Sequence, residues 1–432
     1  EIADGDWSSD VCSSDLCHQI KPDNLGQPAS FTGNFEMTTE KTAFGPYADV
    51  HDKPMKNRNG FKPIQGKHIK ESGMCGSCHT LYTEPIDAQG NSTAQGHFAE
   101  QTPFLEWKNS QFYTDTNGPK KECQSCHEPT TDQMGRTIET QIARNKFGSD
   151  YPPMKVPKRS PYGRHLFVGG NTLIPGIIRD QAEDLNPIAP SEAFDRVIEA
   201  ARRQLENRTA NVEIANTSLS GDELQVDVGI EVLTGHKFPT GYPARRTWLN
   251  VEVTDADGEV VFRSGGVDEE GRIVDANGEP LPLESVGGPT EPHHTEIDSS
   301  EQVQIYQSIM ANASGETTWR LMRAADYKKD NRLLPKGWSS NHPAMDDIEP
   351  IGTANDSNFT GGGDEVTYRV ALPADAAAPY EVEVALHYQP LSHRFAKQLF
   401  EVETKAVRTF HHYWKQADRT PETVGTASTT VQ

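Results

Sequence analysis

No cysteine lies beyond residue 126 of this 432-residue chain, so its last 306 residues hold no disulfide and no thiolate chemistry. Long apolar runs are missing too. Nothing approaches the ~18 residues of a membrane-spanning helix, which argues against membrane insertion of the visible chain. Hydrophobic residues make up only 34%, which is lean for two or three domains built on side-chain cores alone. Bases are also scarce: 41 Lys and Arg face 63 Asp and Glu, for a formal charge of −22. Such a surface disfavours nucleic acid and anionic membranes and would suit basic partners.

What is present is concentrated early. The six cysteines are Cys12, Cys17, Cys75, Cys78, Cys123 and Cys126. Four of them form Cys75-Gly76-Ser77-Cys78-His79 and Cys123-Gln124-Ser125-Cys126-His127. Two cysteines separated by two residues and followed by a histidine form the attachment pattern of haem c. The thiols add to the two vinyl groups of one porphyrin, and the adjacent His reaches the iron. A disulfide within each pair, or one zinc held by four thiolates, are the alternatives. Neither accounts for a His after the second Cys twice over. Covalent porphyrins would also supply the missing apolar mass.

Residues 5–16 read as the in-frame translation of a common sequencing-library adapter, and we set residues 1–16 aside as an artefact. Removing them takes away five acids and no base, leaving −17. Native sequence then starts at about Cys17-His18, the tail of a third Cys-x-x-Cys-His whose first cysteine belongs where Ser14 stands. The expected cofactors are haem c at two intact sites and one truncated site.

The fold class expected is α+β, with a loop-rich multihaem c-type cytochrome domain over residues 17–208. An antiparallel β-sandwich follows at 209–392, then a C-terminal helix and tail at 393–432. The first region is rich in Gly, Pro, Asn and Asp. Such irregularity counts against a compact domain unless porphyrins form its core. Short helices are expected at the two motifs and around residues 104–112. Ser191 to Asn207 has the spacing of an amphipathic helix, with Phe194, Val197, Ile198, Ala201 and Leu205 on one face. From about residue 209 the period becomes two, as in Leu224, Val226, Val228, Ile230 and Val232. Asp257-Gly258 signals a hairpin. Helical spacing returns from 393 to 416, and the Thr-rich last dozen residues read as a frayed tail.

Fifteen histidines are present. His18, His79 and His127 follow a cysteine and are the proximal candidates. Among the rest, His68 lies seven residues before Cys75 and is placed to cover a neighbouring porphyrin. His165 precedes Gly169-Gly170, which allow close approach to a flat ring. His236 is presented by Gly235 to Gly241 on a loop of the β region. We expect it to cap the truncated first site or the Cys75/Cys78 site. Free metal sites at His293-His294 or His411-His412 are not expected, since neighbouring side chains of a strand point apart.

With these residues in hand, the chain resembles the multihaem cytochrome c family, in its bacterial periplasmic members with an appended C-terminal β-domain. The motifs carry the class. The stretches Gly235-His236-Lys237-Phe238-Pro239-Thr240-Gly241, Val303-Gln304-Ile305-Tyr306 and Lys329-Asp330-Asn331-Arg332-Leu333-Leu334-Pro335 resemble its β-domain, and the likeness spans nearly all of 17–415. It implies electron transfer through low-spin haems with two His ligands each, His236 as an axial ligand, redox protein partners, and a periplasmic or cell-surface location. Relatives place a His shortly after Glu-Trp-x-x-Ser. Here Glu106-Trp107-Lys108-Asn109-Ser110 is followed by Gln111-Phe112, so the likeness assigns this helix no ligand. The rival function is a haem oxidoreductase acting on a small nitrogen or sulfur compound at a vacant iron. A surface binding module, with calcium at the acidic loop around Asp268-Glu269-Glu270, is a third.

Overall fold

The computed structural model describes residues 16–113, 120–132, 134–140 and 158–432. Residues 5–15 of the adapter-like stretch, with Cys12 and Ser14, lie outside them. The described residues form an α+β fold.

Up to Leu185 the elements are short and separated by loops. Thr42–Gly45 pairs in parallel with Lys62–Gln65, and Leu81–Thr83 pairs antiparallel with Phe98–Gln101. The helix expected around 104–112 is Pro103–Lys108. Pro103 suits the first turn, where its missing N–H leaves nothing unsatisfied. The helix ends as the Asn109 carboxamide turns to the Ser339 backbone, donating to its carbonyl (3.0 Å) and accepting its N–H (3.0 Å).

Ser191–Arg208 is a helix, as its spacing predicts, and it buries Ile198, Ala201 and Leu205. It feeds directly into the strand Ala210–Ser220, the first of a four-stranded sheet. The order in that sheet is Glu296–Ile297, Gly363–Ala371, Glu223–Val232, Ala210–Ser220. Its pairs are antiparallel except at the edge formed by Glu296–Ile297. A seven-stranded sheet runs Thr317–Thr318, Ile305–Asn312, Arg246–Thr254, Tyr380–Gln389, Glu422–Val431. Ala324–Asp330 lies beside its second strand and Val260–Ser264 beside its third. The hairpin at Asp257-Gly258 closes with Asp255 N–H donating to the Glu259 carbonyl (3.0 Å), and Gly258 has φ +85°, which favours glycine.

Alternation puts one face of each sheet inward. Val226 and Val228 of the smaller sheet share a core with Leu249, Val251, Val382 and Val384 of the larger. Each such side chain is worth about 1.5–3 kcal/mol when fully buried.

Two expectations fail at the C-terminus. The helix is not continuous: His393–Leu399 and Lys405–Gln416 are separate. Thr404 starts the second by accepting the Val407 N–H on its hydroxyl (3.2 Å), an ordinary N-cap. The supposed tail is the strand Glu422–Val431, paired along Tyr380–Gln389. Its threonines are polar but β-branched, and it is the branching that suits a pleated edge.

Candidate haem-binding site

A helical turn places residues i, i+3 and i+4 on one face, so both thiols and the imidazole of each motif are presented together. Cys123–His127 is itself a helix. At the earlier motif, Ser72–Gly76 is helical, and the amides of Cys78 and His79 both donate to the Cys75 carbonyl (3.1 and 2.8 Å). Only glycine fits at 76, because a Cβ would lie 2.6 Å from the Phe104 ring.

The five described cysteines are free thiols, with no disulfide within either pair. Nor do four thiols converge at metal-ligand distance among the described residues. The motifs are nonetheless neighbours. Cys75 shares a hydrogen bond with Cys123, which, with burial, holds the Cys75 thiol well above its ordinary pKa. The Cys17 thiol is raised by burial and by nearby Cys78. Glu122 and Ser72 pin two motifs together. Glu122 Oε2 accepts from Ser72 N–H (2.8 Å) and Ser72 Oγ (2.5 Å), while Ser72 Oγ accepts the Cys123 N–H (2.9 Å).

The proximal candidates meet two of the expected distal ones. The rings of His18 and His165 are 6.1 Å apart, centroid to centroid, and tilted by 60°. Those of His127 and His236 are 6.2 Å apart and within 22° of parallel. His236 thus belongs beside the Cys123/Cys126 motif, not beside either site expected from the sequence. Sequence order gave no measure of how the β-region loop reaches back. Nδ1 of His18 is bonded to the Phe44 carbonyl, that of His127 to the Val168 carbonyl, and that of His236 to the Lys237 carbonyl (2.8 Å). A carbonyl at Nδ1 fixes the tautomer and leaves Nε2 unprotonated, as in metal-ligating histidines. Burial lowers the pKa of His236 and of His79, favouring the neutral, ligating form. Among the described residues, no second histidine ring meets His79 as His165 meets His18.

The His236 loop is clamped by charges that lie in the stretches quoted from the sequence but were given no role there. Lys237 Nζ donates to Asp330 Oδ2 (2.7 Å), and Arg332 grips Asp330 with two bonds of 2.7 Å. Glu106, from the helix of the first region, forms an ion pair with Arg332 (3.0 Å). Its other oxygen accepts the Lys237 N–H (3.2 Å) and the Thr240 hydroxyl. All four charged groups are buried. Burial acts to raise Asp330, but Arg332 and Lys237 outweigh it and hold the carboxyl down at about 2. Phe112 completes the clamp: a Cβ on Gly235 would lie 2.7 Å from its ring. Phe112, which follows the Glu106–Ser110 stretch, thus packs against the His236 loop.

Other candidates have other partners, although His68 packs on Phe44, whose carbonyl holds His18. His68 is buried with Nε2 on the Ile20 carbonyl (3.0 Å), so that nitrogen is already engaged. Of the paired glycines, Gly170 packs on Tyr388, whose hydroxyl would lie 2.7 Å from a Cβ, while a Cβ on Gly169 would meet only the Phe167 carbonyl at 4.0 Å. His411 and His412 are on a helix, and His411 stacks on Phe400 at 4.0 Å. In the acidic loop, the Asp268 carboxylate is taken by Arg272 (2.6 Å) and by two backbone N–H groups.

One cluster was not visible in the sequence: His293, Asp356 and Asp364 converge within ligand distance. Its hydrogen bonds argue against a metal. Nδ1 of His293 faces the amide NH2 groups of Gln304 (2.9 Å) and Asn331 (3.0 Å). The oxygens of both amides already accept backbone N–H groups, from His294 and Gln307, so neither can flip. Nδ1 must accept, and Nε2 must carry the proton that it donates to Asp356 (2.8 Å).

No protein-family model matches the chain, and no curated protein does. Among solved structures, a penta-heme cytochrome c552 from Thermochromatium tepidum is similar, at 14% identity and a TM-score of 0.47. The match covers 96% of this chain and 75% of that one. Among the described residues, no helix is long and apolar enough to cross a membrane.

Proposed function

We propose that the chain is a multihaem c-type cytochrome that transfers electrons, working in the periplasm or at the cell surface with redox protein partners. Haem c would be held by Cys75/Cys78 with His79 and by Cys123/Cys126 with His127. A truncated third site would use Cys17 and His18. When bound, the haems supply one-electron redox chemistry. The chain ligates them, spaces them and excludes water from them, and the strands from residue 209 onward form a β-sandwich domain that delivers a distal ligand.

The observation that carries this reading is the pair of facing histidines. Two metal–imidazole bonds of about 2.0 Å each, plus the depth of each ring behind its nitrogen, bring two coordinated rings to about 6 Å. His18 with His165 and His127 with His236 have that separation, and Nδ1 of three of the four is tied to a carbonyl. Such iron has no open position for a substrate. Two His ligands also favour a lower potential than Met/His ligation.

The test is chemical. Chain matured in a c-type system should gain at least two covalent haems by mass. His236→Ala should turn one haem from low to high spin and shift its potential. An unmodified mass with oxidised cysteine pairs would sink the class, and an unchanged spectrum in His236→Ala would sink the ligand.

His79 supports a second reading. Among the described residues no histidine faces it, and a haem at Cys75/Cys78 would then keep a position for a small nitrogen or sulfur compound. High-spin signal in the unaltered protein, lost on adding nitrite or sulfite, favours the oxidoreductase. A wholly low-spin spectrum excludes it.

A further inference from the structure

A cleft of about 280 Å³ opens on the β region, between the loop at Gly287–Thr290 and the helix His393–Leu399. No carboxylate lines it, in a chain with 63 acids. Its polar side chains are two cations, two hydroxyls and an amide, all able to donate. Lys328 is exposed at its rim. Thr290 and Thr317 contribute hydroxyls. The Gln398 amide oxygen already accepts the Trp319 N–H (3.1 Å), which leaves its NH2 as the remaining group.

Arg394 decides the character of the cleft. It is only 6% exposed, and its guanidinium lies 5.0 Å over the Trp319 ring. Its terminal nitrogens donate to the carbonyls of Pro289 (2.8 Å) and Gly288 (2.6 Å), and its Nε–H has no acceptor. Carbonyl dipoles solvate a cation but do not neutralise it, and a buried charge without a counter-ion is costly. The nearby acid is Glu284, already ion-paired with Arg246 at 2.6 Å. Two buried guanidiniums therefore share one carboxylate.

We propose that this cleft binds a small oxyanion, with Arg394 as the buried counter-charge and Lys328 as the group that captures it from solvent. The shared chemistry is a compact anionic oxygen head, which either a tetrahedral anion or a carboxylate provides. This proposal does not depend on haem ligation. Isothermal titration of the haem-loaded chain with sulfate, phosphate and acetate separates the two sources, with chloride at matched ionic strength as the control. At least one oxyanion should bind saturably where chloride does not. Lys328→Ala should weaken that binding tenfold or more, and Lys328→Glu should abolish it. Both substitutions are at an exposed position and leave the fold intact. Heats no greater than those of chloride, or unchanged affinity in Lys328→Glu, overturn the assignment.

Discussion

Between Ile20 and Phe98 only Phe31 and Pro85 are buried apolar side chains, whereas the single strand Arg246–Thr254 buries Trp248, Leu249, Val251 and Val253. The first region has cysteines, tied imidazoles and close turns, but little core. The second has a dense core and no cysteine. The contrast separates two ways of completing a fold. One closes on its own alternating side chains. The other, on the function proposed above, closes on covalent porphyrins that the motifs bring in. Stability should then answer to different agents in the two regions.

Removing a haem should break the comparison most sharply. Cys75→Ser with Cys78→Ser should lose one haem by mass and open residues 17–190 to protease, while the strands from 210 onward keep their circular dichroism. If the first region stays protected, its fold does not rest on that haem.

Glu106 joins the regions, and its neutralisation should have the next largest effect. Glu106→Gln leaves Arg332 and Lys237 facing Asp330 alone, and losing one partner of a buried ionic group costs about 3–5 kcal/mol. Denaturant unfolding measures the loss. The His236 ring should also shift against His127. Nearly parallel axial imidazoles give a rhombic low-spin EPR signal, so that signal should broaden or move. A cost under about 1 kcal/mol with an unchanged signal would mean that the clamp does not position the ligand.

Leu249→Ala should cost about 2–5 kcal/mol as a cavity in a closed core. The loss should be the same with and without haem. A markedly larger loss in the haem-loaded chain would show that the two cores are coupled after all.

Much of this was legible in the sequence, for physical reasons. The period of two at Leu224–Val232 and the spacing at Ser191–Asn207 are local, and both elements appeared. Cys-x-x-Cys-His is also local, and a helical turn presents it as expected. What was not legible depends on long-range placement. His236 was recognised as a presented histidine, but its partner is 109 positions away at His127. Glu106 was read only as part of a short helix and of the Glu-Trp-x-x-Ser stretch, and its role comes from Arg332 and Lys237. The strand Glu422–Val431 was hidden because threonine was weighed for polarity and not for branching.

The effect expected to be smallest at any one pH step lies wholly within the second region and concerns pH. Asp364 is pushed up to about 7 by burial and by the neighbouring Asp356 charge, against the Tyr306 and Gln304 hydrogen bonds that lower it. Tyr306 O–H donates to it at 2.7 Å, tying one sheet to the other. The folded chain therefore holds this proton more tightly than the unfolded chain, where an aspartate titrates near 3.8. Its contribution to stability is full below about pH 4 and is lost as pH rises through about 7, at up to about 1.4 kcal/mol per pH unit. Lys329 has the opposite displacement. Burial lowers it from 10.5 to about 7, so its contribution is present above about 10.5 and is lost as pH falls through about 7. The two windows meet near neutrality, and the pair alone would place a stability minimum there. Asp364→Asn cannot titrate and keeps an oxygen for Tyr306. It should flatten the limb between pH 4 and 7 while leaving the alkaline limb in place. Urea unfolding across pH 4–10 reads both limbs, and an acid limb as steep in Asp364→Asn as in the unaltered chain would assign the proton to another group.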